Sequence, residues 1–180
     1  TGVGTLKVLK CGTANCIPSC TATNTIQRIE TNTLNGYYPS LAIAPDGLPV
    51  VAYQDETGVN YTLKILKCGT TNCIPSGTAT NTVQRIETNT SNGKYPSLAI
   101  APDGLPVVAY QDQTGDDTLK ILKCGTVNCI PSGSATNTIQ HIETNSLNGY
   151  YPSLAIAPDG LPVVAYLDAI IGDYTLKVLK

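Results

Sequence analysis

The sequence predicts an all-β fold, an array of four-stranded antiparallel units written three times. Three observations predict it. The chain repeats itself, with PSLAIAPDGLPVVAY standing unchanged at 39–53, 96–110 and 152–166, and a unit of this length repeated along a chain is the mark of a repeat architecture. Apolar residues alternate with a period of two over short runs, and nothing shows the i, i+3, i+4 spacing of an amphipathic helix. Gly and Pro punctuate every run. The units are 11–67, 68–123 and 124–180, and residues 1–10 end a preceding unit, because Thr5–Lys10 and Thr175–Lys180 both read TLKVLK.

The middle copy justifies each element in turn. Ser97–Ala101 and Pro106–Gln111 flank Pro102-Asp103-Gly104. Pro presets φ, Asp folds its side chain onto the backbone and Gly accepts positive φ, so this is a hairpin turn. Pro106 opens its strand, where a missing N–H is tolerated. In Thr118–Lys123, Leu119 and Ile121 share one face and Lys120 points to the other. Thr82–Glu87, with its counterpart Thr138–Glu143, is a fourth and more polar strand.

Four short antiparallel strands in such a unit have the size of a propeller blade. SLAIA alternates large residues with Ala, which suits an innermost strand, and TVQRIE suits the rim. A β-solenoid or a sandwich is the competing architecture, and the built-in hairpins argue against the solenoid. One blade cannot cover both of its faces, so neighbours must stack on it. Three units are fewer than a closed propeller ring needs, so the ring is expected to be incomplete in this chain. The chain opens on a third and a fourth strand (Thr5–Lys10, Thr25–Glu30) and finishes on a third, Thr175–Lys180, leaving unpaired edges at both ends.

The phrase SLAIAPDGLPVVAYQD followed by TLKILK resembles the repeat of secreted bacterial β-propellers, whose units read roughly SLAL…G.P.VSYYD…LK. The resemblance covers all three units and rests on structural positions. It implies a propeller and an extracellular setting. The sequence departs from the WD40 and Asp-box patterns in having no Trp, and it lacks the DxDxDG calcium loop. The Cys-bearing insert after TLKILK is not explained by the resemblance.

Composition excludes several functions. The net charge is −2, against the basic excess that phosphate binding requires, so nucleic acid is not an expected partner. No apolar run approaches a bilayer span, so no membrane insertion is expected. The chain carries neither an initiator Met nor a signal peptide and reads as a processed protein or a piece of one.

Six of the seven Cys recur as C-x4-C pairs: Cys11/Cys16, Cys68/Cys73 and Cys124/Cys129. Zinc wants four ligands, and each unit offers two Cys and no constant His, so local disulfides in an oxidising compartment are the expectation. Cys20 stands where the other units have Gly77 and Gly133; it is a candidate for an intermolecular bridge or a free thiol. The single His, His141, replaces Arg28 and Arg85 and reads as a solvated surface residue. Asp46, Asp103 and Asp159 are turn formers. Asp55, Asp112 and Asp168 end the second strand and precede loops with further oxygen ligands (Asn60, Asp116 with Asp117, Asp173), which makes them candidates for calcium. Those loops differ between units, and the expected cofactor is none.

Tyr37/Tyr38, Tyr95 and Tyr150/Tyr151 follow an Asn-Gly turn at the junction between blades. Tyr38, Tyr95 and Tyr151 are candidates to face a sugar, the competing use being blade-to-blade packing. Asn60 and Asn89 head the two glycosylation sequons, and Thr-rich loops such as Thr21–Thr25 could carry O-glycans. No nucleophile–base pair, metal cluster or phosphate loop is recognisable, so a non-enzyme is expected. The function expected is an extracellular structural or adhesive repeat protein. It would be part of a larger propeller or of a multi-chain, filamentous assembly, with self-association or further repeats as its partners. The alternative is a carbohydrate-binding, lectin-like propeller.

Overall fold

The computed structural model describes residues 4–32, 34–57, 61–87, 91–115, 117–143, 147–170 and 173–180. These hold four antiparallel sheets. Strands β1 (Lys7–Lys10) and β2 (Thr25–Arg28) form a pair. The first full sheet is β3 (Asn35–Ile43), β4 (Pro49–Asp55), β5 (Thr62–Lys67) and β6 (Thr82–Arg85), hydrogen-bonded in that order. The second repeats it with β7 (Asn92–Ile100), β8 (Pro106–Asp112), β9 (Thr118–Lys123) and β10 (Thr138–His141). The third has β11 (Tyr150–Ile156), β12 (Pro162–Ile170) and β13 (Asp173–Leu179). The expected all-β, four-stranded antiparallel unit is therefore present, and each full sheet takes its fourth strand from the next sequence unit.

The hairpins form for the reasons visible in their residues. Gly47 N donates to Ala44 O at 2.9 Å and Ala44 N to Leu48 O at 3.0 Å. That closes a type I turn over Pro45 and Asp46, with Gly47 at φ +77° as the following left-handed residue. The Asp46 carboxylate accepts from Leu48 N at 3.0 Å, and Asp103 and Asp159 do the same in their copies.

The strands β3, β7 and β11 run longer than SLAIA, because all three include the preceding Tyr-Pro and β3 and β7 also the Asn-Gly step. They are bent by register shifts, twice each in β3 and β7. Pro39, Pro96 and Pro152 sit in this irregular stretch, on the strand at the sheet's edge, where a proline removes no ladder bond.

The sheets stack face on face in chain order. Leu6 and Val8 pack on Val51, Tyr53 and Leu66. The opposite face of that sheet, with Val50, Ala52, Leu63 and Ile65, packs on Leu98, Val108, Tyr110 and Leu122. Val107, Ala109 and Leu119 then meet Leu154, Val164 and Tyr166. Strands β4 and β8 are consequently buried along their whole length. Each buried Leu or Val contributes roughly 1.5–3 kcal/mol. Among the described residues the stack is open, since no core cluster joins β11–β13 to β1–β2.

The expected disulfides Cys11–Cys16, Cys68–Cys73 and Cys124–Cys129 are formed, each in the connection from a third strand to a fourth. The loop is specified by its own side chains. Asn81 Oδ1 accepts from Gly69 N at 3.0 Å while its amide donates to Cys73 O at 2.7 Å. Cys124 and Cys129 are fully buried and join the core between the first two full sheets, so the disulfide also covers the neighbouring sheet.

Candidate functional site

The chemistry-bearing residues gather at the junctions between sheets. Where the first strands of successive sheets lie side by side, Leu98 N donates to Ser40 Oγ and Leu154 N to Ser97 Oγ, each at 2.9 Å. Edge amides that a sheet would leave unpaired are satisfied across the junction. Two residues before each serine stands a tyrosine at φ +50°: Tyr38, Tyr95 and Tyr151. That left-handed backbone, rare for a bulky residue, aims the three rings into one column. Their centroids are 4.5 Å apart from Tyr38 to Tyr95 and 4.4 Å apart from Tyr95 to Tyr151. Pro39, Pro96 and Pro152 complete a shallow groove. The sugar-facing candidates are thus brought together, Tyr38 edge-on to Tyr95 and Tyr151 tilted against it, with Tyr38 and Tyr151 more than half exposed. Burial, then hydrogen bonding to Tyr151 and the charges of Tyr151 and Tyr38, pushes the Tyr95 phenol well above its ordinary value.

A second constellation lies between the same sheets. Lys120 Nζ is 2.8 Å from Glu87 on the preceding sheet's outer connection and 2.7 Å from Asp112 on the adjacent strand. Lys64 makes the same pairs with Glu30 and Asp55, at 2.8 and 2.9 Å, and Lys177 with Glu143 and Asp168. Tyr110 donates to Glu87 at 3.1 Å. Burial alone would push the Asp112 carboxyl up, but the Lys120 ammonium and the Thr114 amide and hydroxyl outweigh it and hold it below the usual carboxylate range. Asp55 is lowered in the same way, against burial, by Lys64 and Thr57. Burial opposes the charge on Lys120, and Asp112 with Glu87 more than restores it, so its pKa is raised. Burial and the Glu87 carboxylate push Tyr110 far up; burial, then Glu143, pushes Tyr166 up to about 12.

An Asn-Gly step locks each junction. Asn35 Oδ1 accepts from Leu6 N at 2.9 Å and Asn148 Oδ1 from Leu119 N at 3.0 Å. At Gly93, with φ +82°, a Cβ would run into the Leu63 backbone.

The calcium candidates Asp55, Asp112 and Asp168 lie in these clusters. Their carboxylates are engaged by Lys64, Lys120 and Lys177, and Asp117 accepts from Tyr150 at 2.7 Å instead of joining them. Among the described residues no group of three or more His, Cys, Asp or Glu side chains is placed to hold a metal ion. Cys20 is an exposed free thiol. His141 is exposed, as expected, with Thr118 Oγ1 at 3.5 Å from Nδ1. Asn60, Asn89 and Asp116 lie outside the described residues.

The sequence reading missed the Lys–Glu–Asp–Tyr clusters. A signal was present: Lys120 faces opposite Leu119 in a strand whose neighbour β8 is apolar on both faces, which leaves no solvent side for it.

Fold and site together define an all-β repeat protein of stacked antiparallel sheets, joined by recurrent polar locks. No protein-family model and no curated protein matches the chain. Among solved structures it is similar to a thermostable family-43 glycoside hydrolase, at 13% identity and a TM-score of 0.48, over 85% of this chain and 58% of that one. The expectation of a non-enzyme is corrected here, because this neighbour is a hydrolase; enzyme status is unsettled, and likeness at that identity carries no activity across. That expectation rests on recognising no nucleophile–base pair, metal cluster or phosphate loop in the linear sequence, which does not show the surroundings of each repeated side chain. Equivalent side chains sit in different surroundings, with the Lys120 side chain 6% and the Lys177 side chain 36% exposed. Three disulfides are compatible with an oxidising compartment, and no described helix is long and apolar enough to cross a membrane.

Proposed function

We propose that the chain is an extracellular structural repeat protein, a β-propeller-type array that associates with further units of its own sequence. One observation carries the reading. Leu119, buried where the second and third sheets meet, has its counterpart in Leu176, which is 76% exposed on the third sheet. Val178 stands exposed on the same strand, and Leu41 and Ile43 stand exposed on β3. Their counterparts Leu98 and Ile100 pack into the core on the preceding sheet. Leu6 and Val8, the counterparts of Leu176 and Val178 in the first TLKVLK, already pack on the first full sheet. What stays open there is its first strand, and each exposed set is a surface that a further unit, joined head to tail, would cover. A head-to-tail union of this kind extends or closes according to its rotation.

Sedimentation of the native 18.9 kDa chain at micromolar concentration tests it. The expected result is a multi-chain species that Leu176→Lys with Val178→Lys dissociates; a stable monomer overturns it. A glycan-binding groove is the second reading, favoured by the free outer ring faces of Tyr38 and Tyr151. Specific glycan binding that Tyr151→Ala abolishes would support it over self-association alone.

A further inference from the structure

We propose that the tyrosine column is a site of oxidative cross-linking, where Tyr95 and Tyr151 couple into a dityrosine that ties the second sheet covalently to the third. Three independent observations converge on it. The rings are already in contact, with centroids 4.4 Å apart and planes inclined by 43°. Their shared φ of +50° is a strained backbone state accepted at equivalent positions, and it directs the phenols into the column. Tyr38 and Tyr151 are more than half exposed, so an external oxidant reaches the column from either end.

Composition adds a fourth. The chain has no Met and no Trp, and six of its seven Cys are in disulfides. The residues that usually absorb oxidising equivalents first are therefore absent or already spent. Apart from Cys20, tyrosine is what remains. Tyr53 and Tyr110 are fully buried and out of reach.

The co-reactant is hydrogen peroxide acting through a haem peroxidase, a one-electron oxidant. Each phenol surrenders one electron and one proton, leaving two phenoxyl radicals. A carbon–carbon bond forms between ring positions ortho to the hydroxyls. The two displaced ring hydrogens return to the phenol oxygens through solvent. The pair of residues loses two hydrogen atoms in all, and one hydrogen peroxide becomes two waters.

The experiment treats the full chain with peroxidase and hydrogen peroxide in dilute solution, followed by reduction, trypsin digestion and mass spectrometry of the monomer. The expected product is a cross-linked peptide pair, two hydrogens light, whose fragments place the bond at Tyr95 and Tyr151, with dityrosine fluorescence. Tyr95→Phe keeps the ring and should reduce that signal to background; Tyr174→Phe, which removes the most exposed phenol, should leave it unchanged. A monomer without the linked pair, or coupling that appears only between molecules through Tyr174, overturns the proposal.

Discussion

The second and third sheets are nearly the same sequence in two different settings. In the second, Leu119 is inaccessible and Lys120 is enclosed by two carboxylates, Asp112 of its own sheet and Glu87 from the connection after β6. In the third, Leu176 faces solvent and the Lys177 cluster is open. The residues did not change; the neighbour did. Stability in such an array resides in the junctions as much as in the units, so the contribution of a residue type is set by the sheet that covers it.

The largest break in that symmetry is expected at the lysines. Lys120→Ala strands Glu87 and Asp112 without their counter-ion and should cost about 3–5 kcal/mol, read by denaturant unfolding. Lys177→Ala should cost far less. Equal losses would mean that the clusters act locally and do not depend on enclosure.

Next comes the apolar pair. Leu119→Ala should destabilise by about 3 kcal/mol through the cavity it leaves, whereas Leu176→Ala should be close to neutral in dilute solution. A cost at Leu176 that grows with protein concentration would mark its burial by another unit.

The mildest perturbation is acid. Asp55 and Asp112 are held below their ordinary values, so their contribution is complete above the unfolded carboxylate pKa of about 4. It is lost as pH falls through the lower folded values. The exposed turn residue Asp103 is also lowered, first by Lys123, but in contact with solvent that screens the pair. Thermal melts between neutral pH and that acid range should show Asp112→Asn flattening the acid slope more than Asp103→Asn does.

What could be read in advance was whatever the chain decides locally. The Pro-Asp-Gly hairpins, the alternation in Thr118–Lys123 and the C-x4-C disulfides each join residues close in sequence. What could not be read depends on partners a whole sheet away. Glu87 and Lys120 meet across the junction between two sheets, and Leu98 reaches Ser40 the same way. The tyrosine column shows the limit most clearly. Tyr95 was recognisable as a junction residue, but its contact with Tyr151 requires both the register shifts that bend the first strand and the stacking that superimposes equivalent residues. The pairing of Asp112 was hidden for the same reason, since it is claimed by a lysine whose burial no single strand reveals.

The offset between sequence unit and sheet has a consequence for length. Each full sheet closes with a strand that follows the next disulfide loop, so the boundary at Cys68 or Cys124 falls inside a connection that its own bridge holds in shape. Excising the stretch 68–123 would bring Lys67 to Cys124, and the strand Thr138–His141 would inherit the place of Thr82–Arg85, which it matches in all but two residues. No strand would meet a foreign neighbour. A chain organised in this way behaves as a ruler with interchangeable graduations, whose reach changes in whole steps without any joint having to be redesigned.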